Sequence, residues 1–150
     1  MSEHRAEVSW RRDGGAFDYD SFDRRHRIAF EDGRVVLAGD AAADYGGQGD
    51  AGPDPEALFA ASLAACHMLS FLAVAARMRI VVDAYADAPT AFVEQNNEGR
   101  LAVTRVVLRP RATFSVEVAL AKLAQLHDLA HRNCFVARAV NAEVLIEPPG

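Results

Sequence analysis

The chain has 150 residues, half of them hydrophobic and a quarter charged, enough for one domain with a genuine core. A formal net charge of −5 argues against a broad nucleic-acid-binding surface. The polar start, Met1-Ser2-Glu3-His4-Arg5, has no apolar leader region, so cytoplasm is the expected compartment.

Taken in order, residues 6–12 alternate with Ala6, Val8 and Trp10 on one face, which predicts a half-buried strand. Asp13-Gly14-Gly15 is a turn signal, and a second strand is expected over residues 16–22. Residues 24–30 alternate again, with Arg24, His26, Ile28 and Phe30 on one face. Glu31-Asp32-Gly33 turns the chain into a strand over residues 34–38. Such short links predict an antiparallel meander. Residues 39–53 are rich in Gly, Ala and Asp and lack periodicity. They read either as a plain surface connection or as a loop over the mouth of a site.

The next stretch, Asp54 to Met78, organises the rest. Asp54 suits a helix N-cap, Pro55 the first helical position, and Glu56 the positive end of the helix dipole. Ala and Leu dominate the remainder of the run, and no charge appears between Glu56 and Arg77. The uncharged segment from Ala57 to Ala76 is long enough to cross a bilayer. Its Ala content, its polar Ser62, Cys66, His67 and Ser70, and the lack of a second such run favour the central helix of a soluble domain instead. Phe59, Leu63, Cys66, Ser70 and Ala73 recur at steps of three and four and form one stripe. A helix apolar on every side is hard to cover in a chain this small, so a homodimer is expected.

Beyond it, strands are expected over residues 80–85, 92–95 and 101–109, with a hairpin turn at Asn96-Asn97-Glu98-Gly99. Residues 112–116 are ambiguous between strand and loop. Residues 117–133 form a second helix whose stripe is Leu120, Leu123, His127, Ala130 and Cys134. A last strand is expected over residues 139–147, ahead of the tail Pro148-Pro149-Gly150. Runs of strands around two helices predict an α+β fold, antiparallel sheets packed around a long central helix, as one domain over residues 1–150.

Two kinds of chemistry compete for the polar residues. Cys66 and Cys134 lie far apart in sequence, form no C-x-x-C, and in a cytosolic chain do not suggest a structural disulfide. Their ordinary reading is two small buried apolar residues. Their functional reading is a thiol redox pair, in which a thiolate activated by a nearby guanidinium attacks a peroxide and a second thiol condenses with the sulfenic acid. The alternative is zinc, held by Cys66-His67 with His127, His131 and Cys134, two of them one helical turn apart. The ordinary reading of those histidines is packed or solvated imidazole.

The run Asp54-Pro55-Glu56-Ala57-Leu58-Phe59-Ala60-Ala61-Ser62-Leu63-Ala64-Ala65-Cys66-His67-Met68 resembles the signature helix of the OsmC/Ohr family, the osmotically inducible and organic hydroperoxide resistance proteins. Leu126 to Phe135 resembles that family's second-cysteine segment, and Thr104 to Pro110 the strand before it. The match runs from about Val8 to Glu147 and is specific in the two cysteine segments. Cys66-His67-Met68 resembles a less characterised branch.

The resemblance implies an intertwined homodimer and a thiol-dependent reductase of organic hydroperoxides; no bound cofactor, metal, nucleic acid or membrane is expected. It makes Cys66 the peroxidatic cysteine and Cys134 the resolving one, with Glu56 holding an active-site arginine against the Cys66 thiolate. One founding branch carries that arginine in the loop before the helix, but residues 39–55 contain none. The other carries it in the N-terminal strands, where Arg24 is the candidate and Arg25 the fallback. His67 or His127 would substitute if neither reaches. Phe59, Leu63 and Phe71 are the expected apolar lining, favouring an alkyl peroxide over hydrogen peroxide. The reductant is then another thiol or a lipoyl group. A zinc protein or a non-catalytic small-molecule binding protein is the alternative.

Overall fold

In the computed structural model of the chain, residues 1–148 are described; Pro149 and Gly150, the end of the expected tail, lie outside them. The chain divides into two units, Met1–Leu58 and Phe59–Gly150.

In the first unit, β1 (Ala6–Ser9), β2 (His26–Phe30) and β3 (Val35–Gly39) form the expected antiparallel meander in the order β1-β2-β3. Ala6 pairs with Phe30, and Phe30 with Val35 across the hairpin. The hairpin turn needs left-handed backbone at Glu31, Asp32 and Gly33, and Gly33 takes the largest φ of +86° without strain. Residues 16–22 do not form the expected strand. The Asp18 carboxylate accepts the N–H groups of Asp20 (3.2 Å) and Ser21 (3.1 Å), which closes a local turn that competes with strand pairing. The apolar residues of that stretch are used in a cluster of Trp10, Phe17 and Phe22, with ring centroids 5.6–6.5 Å apart. Val8 of β1 is exposed, so the half-buried face expected there is absent.

Asp40 ties up the connection between β3 and the first helix. Its buried carboxylate accepts the N–H groups of Ala41 (2.8 Å), Gln48 (2.9 Å) and Gly49 (3.3 Å), and its own N–H donates to the Pro53 carbonyl (3.3 Å). Burial raises the Asp40 pKa, but the three backbone donors outweigh it and leave the group below the usual carboxylate range. At Gly47 and Gly52 a side chain would collide with the carbonyls of Ala41 and Ala38, so this closed loop depends on glycine there. The loop delivers the chain to Asp54, whose Oδ1 accepts the Ala57 N–H at 2.7 Å as the expected N-cap.

The helix it caps is α1 (Pro55–Arg77), and the second is α2 (Leu120–Asn133). The remaining strands are β4 (Val82–Ala86), β5 (Thr90–Gln95), β6 (Leu101–Leu108), β7 (Arg111–Phe114) and β8 (Glu143–Ile146). The ambiguous stretch over residues 112–116 is largely strand, because β7 pairs antiparallel with β4. β6 is the centre of the β5-β6-β8 sheet, antiparallel to β5 and parallel to β8. The parallel pair departs from the antiparallel expectation. α2 carries the chain between β7 and β8, and such a crossover permits parallel pairing.

Two cores meet along α1. Ala60, Leu63 and Ala64 pack on Val106 and Leu108 of β6, with Val144 and Ile146 of β8 beside them. Further along, Phe71, Val74 and Ala75 pack on Leu126 and Ala130 of α2, with Tyr85 and Phe114 from the β4–β7 pair. α1 is long and apolar enough to cross a membrane by length and composition, yet its buried stripe packs against protein. That stripe is Ala60, Leu63, Ala64, His67, Phe71, Val74 and Ala75. It differs from the expected one by placing His67 inside and Cys66 at the border, half buried.

Candidate functional site

Cys66 and Cys134 are both free thiols and are brought together. Cys66 lies in the middle of α1. Cys134 follows α2 directly: its φ and ψ of −74° and 108° end the helix, and its N–H still donates to the His131 carbonyl at 3.2 Å. The Cys134 sulfur accepts the Ala137 N–H at 3.4 Å, and Cys66 is close enough to perturb its titration. Burial, followed by the hydrogen bond with Cys66, pushes the Cys134 thiol up to about 11. Cys134 therefore keeps its proton at neutral pH.

Beside Cys66 opens a cavity of about 340 Å³, lined by Leu69, Ser70, Ala73, Val74, Arg77, Asn133 and Phe135. The expected lining is corrected here. Leu63 and Phe71 are fully buried core residues, and Phe59 packs on the β6 core. The apolar wall beside the thiol comes from Leu69 and Val74, about one and two turns further along α1, and from Phe135, one residue past Cys134.

The two internal histidines form a pair that spacing did not reveal. His67 Nε2 and His127 Nδ1 lie 3.1 Å apart, joining α1 to α2, with rings 8° from parallel and centroids 5.4 Å apart. Both are buried, and His67 Nδ1 and His131 Nδ1 lack hydrogen-bond partners. Burial, reinforced by His127 and His131, lowers the His67 pKa to about 4; burial also lowers that of His127. The pair is thus neutral at neutral pH, one ring donating and the other accepting. His127 therefore spends a ring nitrogen on His67. Among the described residues, no group of three His, Cys, Asp or Glu side chains converges as a metal ion requires.

Arg24, Arg25 and Glu56 belong to the first unit. Arg24 donates to the carbonyls of Phe22 (3.0 Å) and Tyr19 (2.7 Å), and its guanidinium lies 4.1 Å from the Phe22 ring centroid. Arg25 grips the Asp23 carboxylate through two nitrogens at 2.6–3.0 Å, which holds Asp23 down to about 2. Glu56 stands in the first turn of α1 with its Oε2 buried and without a hydrogen-bond partner. Arg24 and Glu56 are not hydrogen-bonded to each other.

The sequence profile of the OsmC-like protein family matches residues 47–148. No curated protein sequence matches the chain. Among solved structures, an OsmC-like protein of unknown function from Vibrio cholerae is 38% identical, over 99% of this chain and all of its own, with a TM-score of 0.91. The organic hydroperoxide resistance protein OhrB of Bacillus subtilis is 24% identical over 97% of this chain and 98% of its own, with a TM-score of 0.70. An organic hydroperoxide resistance protein from Elizabethkingia anophelis is 19% identical over 99% and 94%, with a TM-score of 0.74.

The buried histidines give stability a pH dependence with a definite sign. The folded pKa of His67, about 4, lies below its ordinary value of 6.5, so the unfolded chain binds the extra proton between these values. Stability is full above about pH 6.5 and falls towards pH 4, by about 3 kcal/mol from this group. Urea unfolding should give a lower midpoint at pH 4.5 than at pH 7, and a smaller drop in His67→Gln. An equal drop in the variant would contradict this.

Proposed function

The chain belongs to the OsmC-like protein family, and from that premise we propose that it is a thiol-dependent peroxidase reducing organic hydroperoxides to alcohols. One observation carries the reading: a half-buried thiol opening on an apolar cavity, within reach of a buried thiol that keeps its proton. Organic hydroperoxide resistance proteins among the structural relatives support it.

In the first step the Cys66 thiolate attacks one peroxide oxygen and the O–O bond breaks. The sulfur is oxidised by two electrons to the sulfenic acid, and the departing alkoxide takes a proton to become the alcohol. In the second step the Cys134 sulfur displaces hydroxide from the sulfenic sulfur, its proton leaves with it as water, and a Cys66–Cys134 disulfide remains. An external dithiol, a protein thiol pair or a lipoyl group, returns two electrons and two protons. Leu69, Val74 and Phe135 shelter the alkyl group of the substrate.

Arg24 is the guanidinium assigned to activate Cys66, with Glu56 to orient it. The buried, unpartnered Oε2 of Glu56 supports a cationic partner, and Arg25 is already committed to Asp23. The assembly is a cytoplasmic homodimer, in which a second copy covers the face carrying Leu69 and Phe135, 63% and 78% exposed in the single chain.

Cys66→Ser should abolish hydroperoxide turnover, and retained turnover would end this assignment. Cys134→Ser should complete one oxidation and then hold Cys66 as a dimedone-reactive sulfenic acid; an unchanged steady-state rate would remove its resolving role. In Arg24→Ala the pH profile of Cys66 alkylation should shift to higher pH, while an identical profile would transfer the role to Arg25. Sedimentation at micromolar concentration should give twice the chain mass of 16.2 kDa; a monomer mass would refute the dimer.

A further inference from the structure

The two buried histidines lie between the elements that carry the thiols. His67 directly follows Cys66 on α1. His127 precedes Cys134 by seven residues on α2, two turns back along the same face and a rise of about 10 Å. Among the described residues, the His67–His127 hydrogen bond is the one directional contact between the two helices apart from the thiols themselves. The fully apolar contacts there centre on Phe71, Val74 and Ala75 against Leu126 and Ala130, with Leu72, Leu123 and Leu129 packed beside them.

This arrangement is costly for a role in stability alone. Two imidazoles are taken out of water for one hydrogen bond, and His67 Nδ1 finds no partner. Leucine at both positions would bury comparable apolar volume without that loss, and buried polar pairs are often no better than apolar replacements. What leucine cannot supply is register. Apolar contacts are non-directional, and small residues such as Ala75 and Ala130 let helices slide. A hydrogen bond of 3.1 Å tolerates little displacement. Disulfide closure is equally exacting, since the two Cβ atoms must approach within about 3.5–4.5 Å. A slip of α1 on α2 by one residue, a rise of about 1.5 Å, is enough to spoil that approach.

We propose that the His67–His127 hydrogen bond is a positioning device that holds α1 and α2 in the register at which Cys66 and Cys134 close their disulfide. The inference deepens the peroxidase reading, in which that closure is the resolving step. A single added proton leaves the bond in place, with an imidazolium donating to a neutral imidazole; only when both rings are charged do both facing nitrogens become donors and break it. The groups that bias such protonation are His131, beside His67, and Asp128, beside His127; the other neighbour, Phe71, is apolar with its ring 4.7 Å from His127.

The test compares wild type, His67→Leu/His127→Leu and His67→Gln, each checked for folding by urea denaturation. Reduced protein is oxidised with diamide, which closes a dithiol without peroxide chemistry, and separately with one equivalent of cumene hydroperoxide. In the double leucine chain, closure should slow roughly tenfold or more, although the chain is as stable as wild type. With the hydroperoxide, Cys66 should still be oxidised at the native rate, and its sulfenic acid should accumulate. Glutamine keeps a hydrogen-bonding nitrogen near the Nε2 position, so His67→Gln should close at the native rate. Closure at the native rate in the leucine chain, or equally slow closure in both variants, would overturn the inference. If the double variant does not fold, His67→Leu set against His67→Gln gives the same comparison. A wild type that closes with diamide but ignores the hydroperoxide would end the peroxidase reading and leave the positioning role standing.

Discussion

The burial of α1 is the constraint on which the second unit depends. A helix of Ala, Leu and Phe without a charge between Glu56 and Arg77 cannot leave its apolar stripe in water. The chain meets this by dividing the helix between two cores, β6 and β8 near its start and α2 with the β4–β7 pair near its end. Cys66 and His67 fall where the two cores meet. Their side chains therefore rest on packed elements, which suits a step that must bring two sulfur atoms together.

Three of the buried polar sites are each handled differently. Asp40 is fully satisfied by backbone N–H groups and organises its loop. The histidine pair is half satisfied, and burial makes its protonation unfavourable, so its presence points to a role beyond stability. Cys134 is held protonated in an apolar setting while Cys66 opens on the cavity. This asymmetry supports the order proposed for the two thiols, in which the half-buried one meets substrate and the fully buried one comes second.

Much of this was legible from residue order. Asp54, Pro55 and the Ala-rich run marked α1 because capping and helix propensity are local effects. Cys134 at the end of the α2 stripe followed from periodicity. What escaped was decided by one local turn and by distant partners. The Asp18 turn displaced a strand that composition favoured, and the parallel partner of β6 arrives only after α2. His67 and His127 are sixty positions apart, so their spacing carried no sign of the bond between them. Leu63 and Phe71 read equally well as core or as lining, and only packing distinguishes the two. The buried stripe of α1, one residue removed from the one that includes Cys66, would have pointed to an inward His67.

The most direct measurement is a thiol count on reduced protein before and after one equivalent of an organic hydroperoxide. A peroxidase cycle predicts loss of both thiols within seconds and their full return with dithiothreitol, because Cys66 and Cys134 close a reversible disulfide. Two thiols persisting after the peroxide is added would contradict it, leaving the pair as structural residues in a protein of other function.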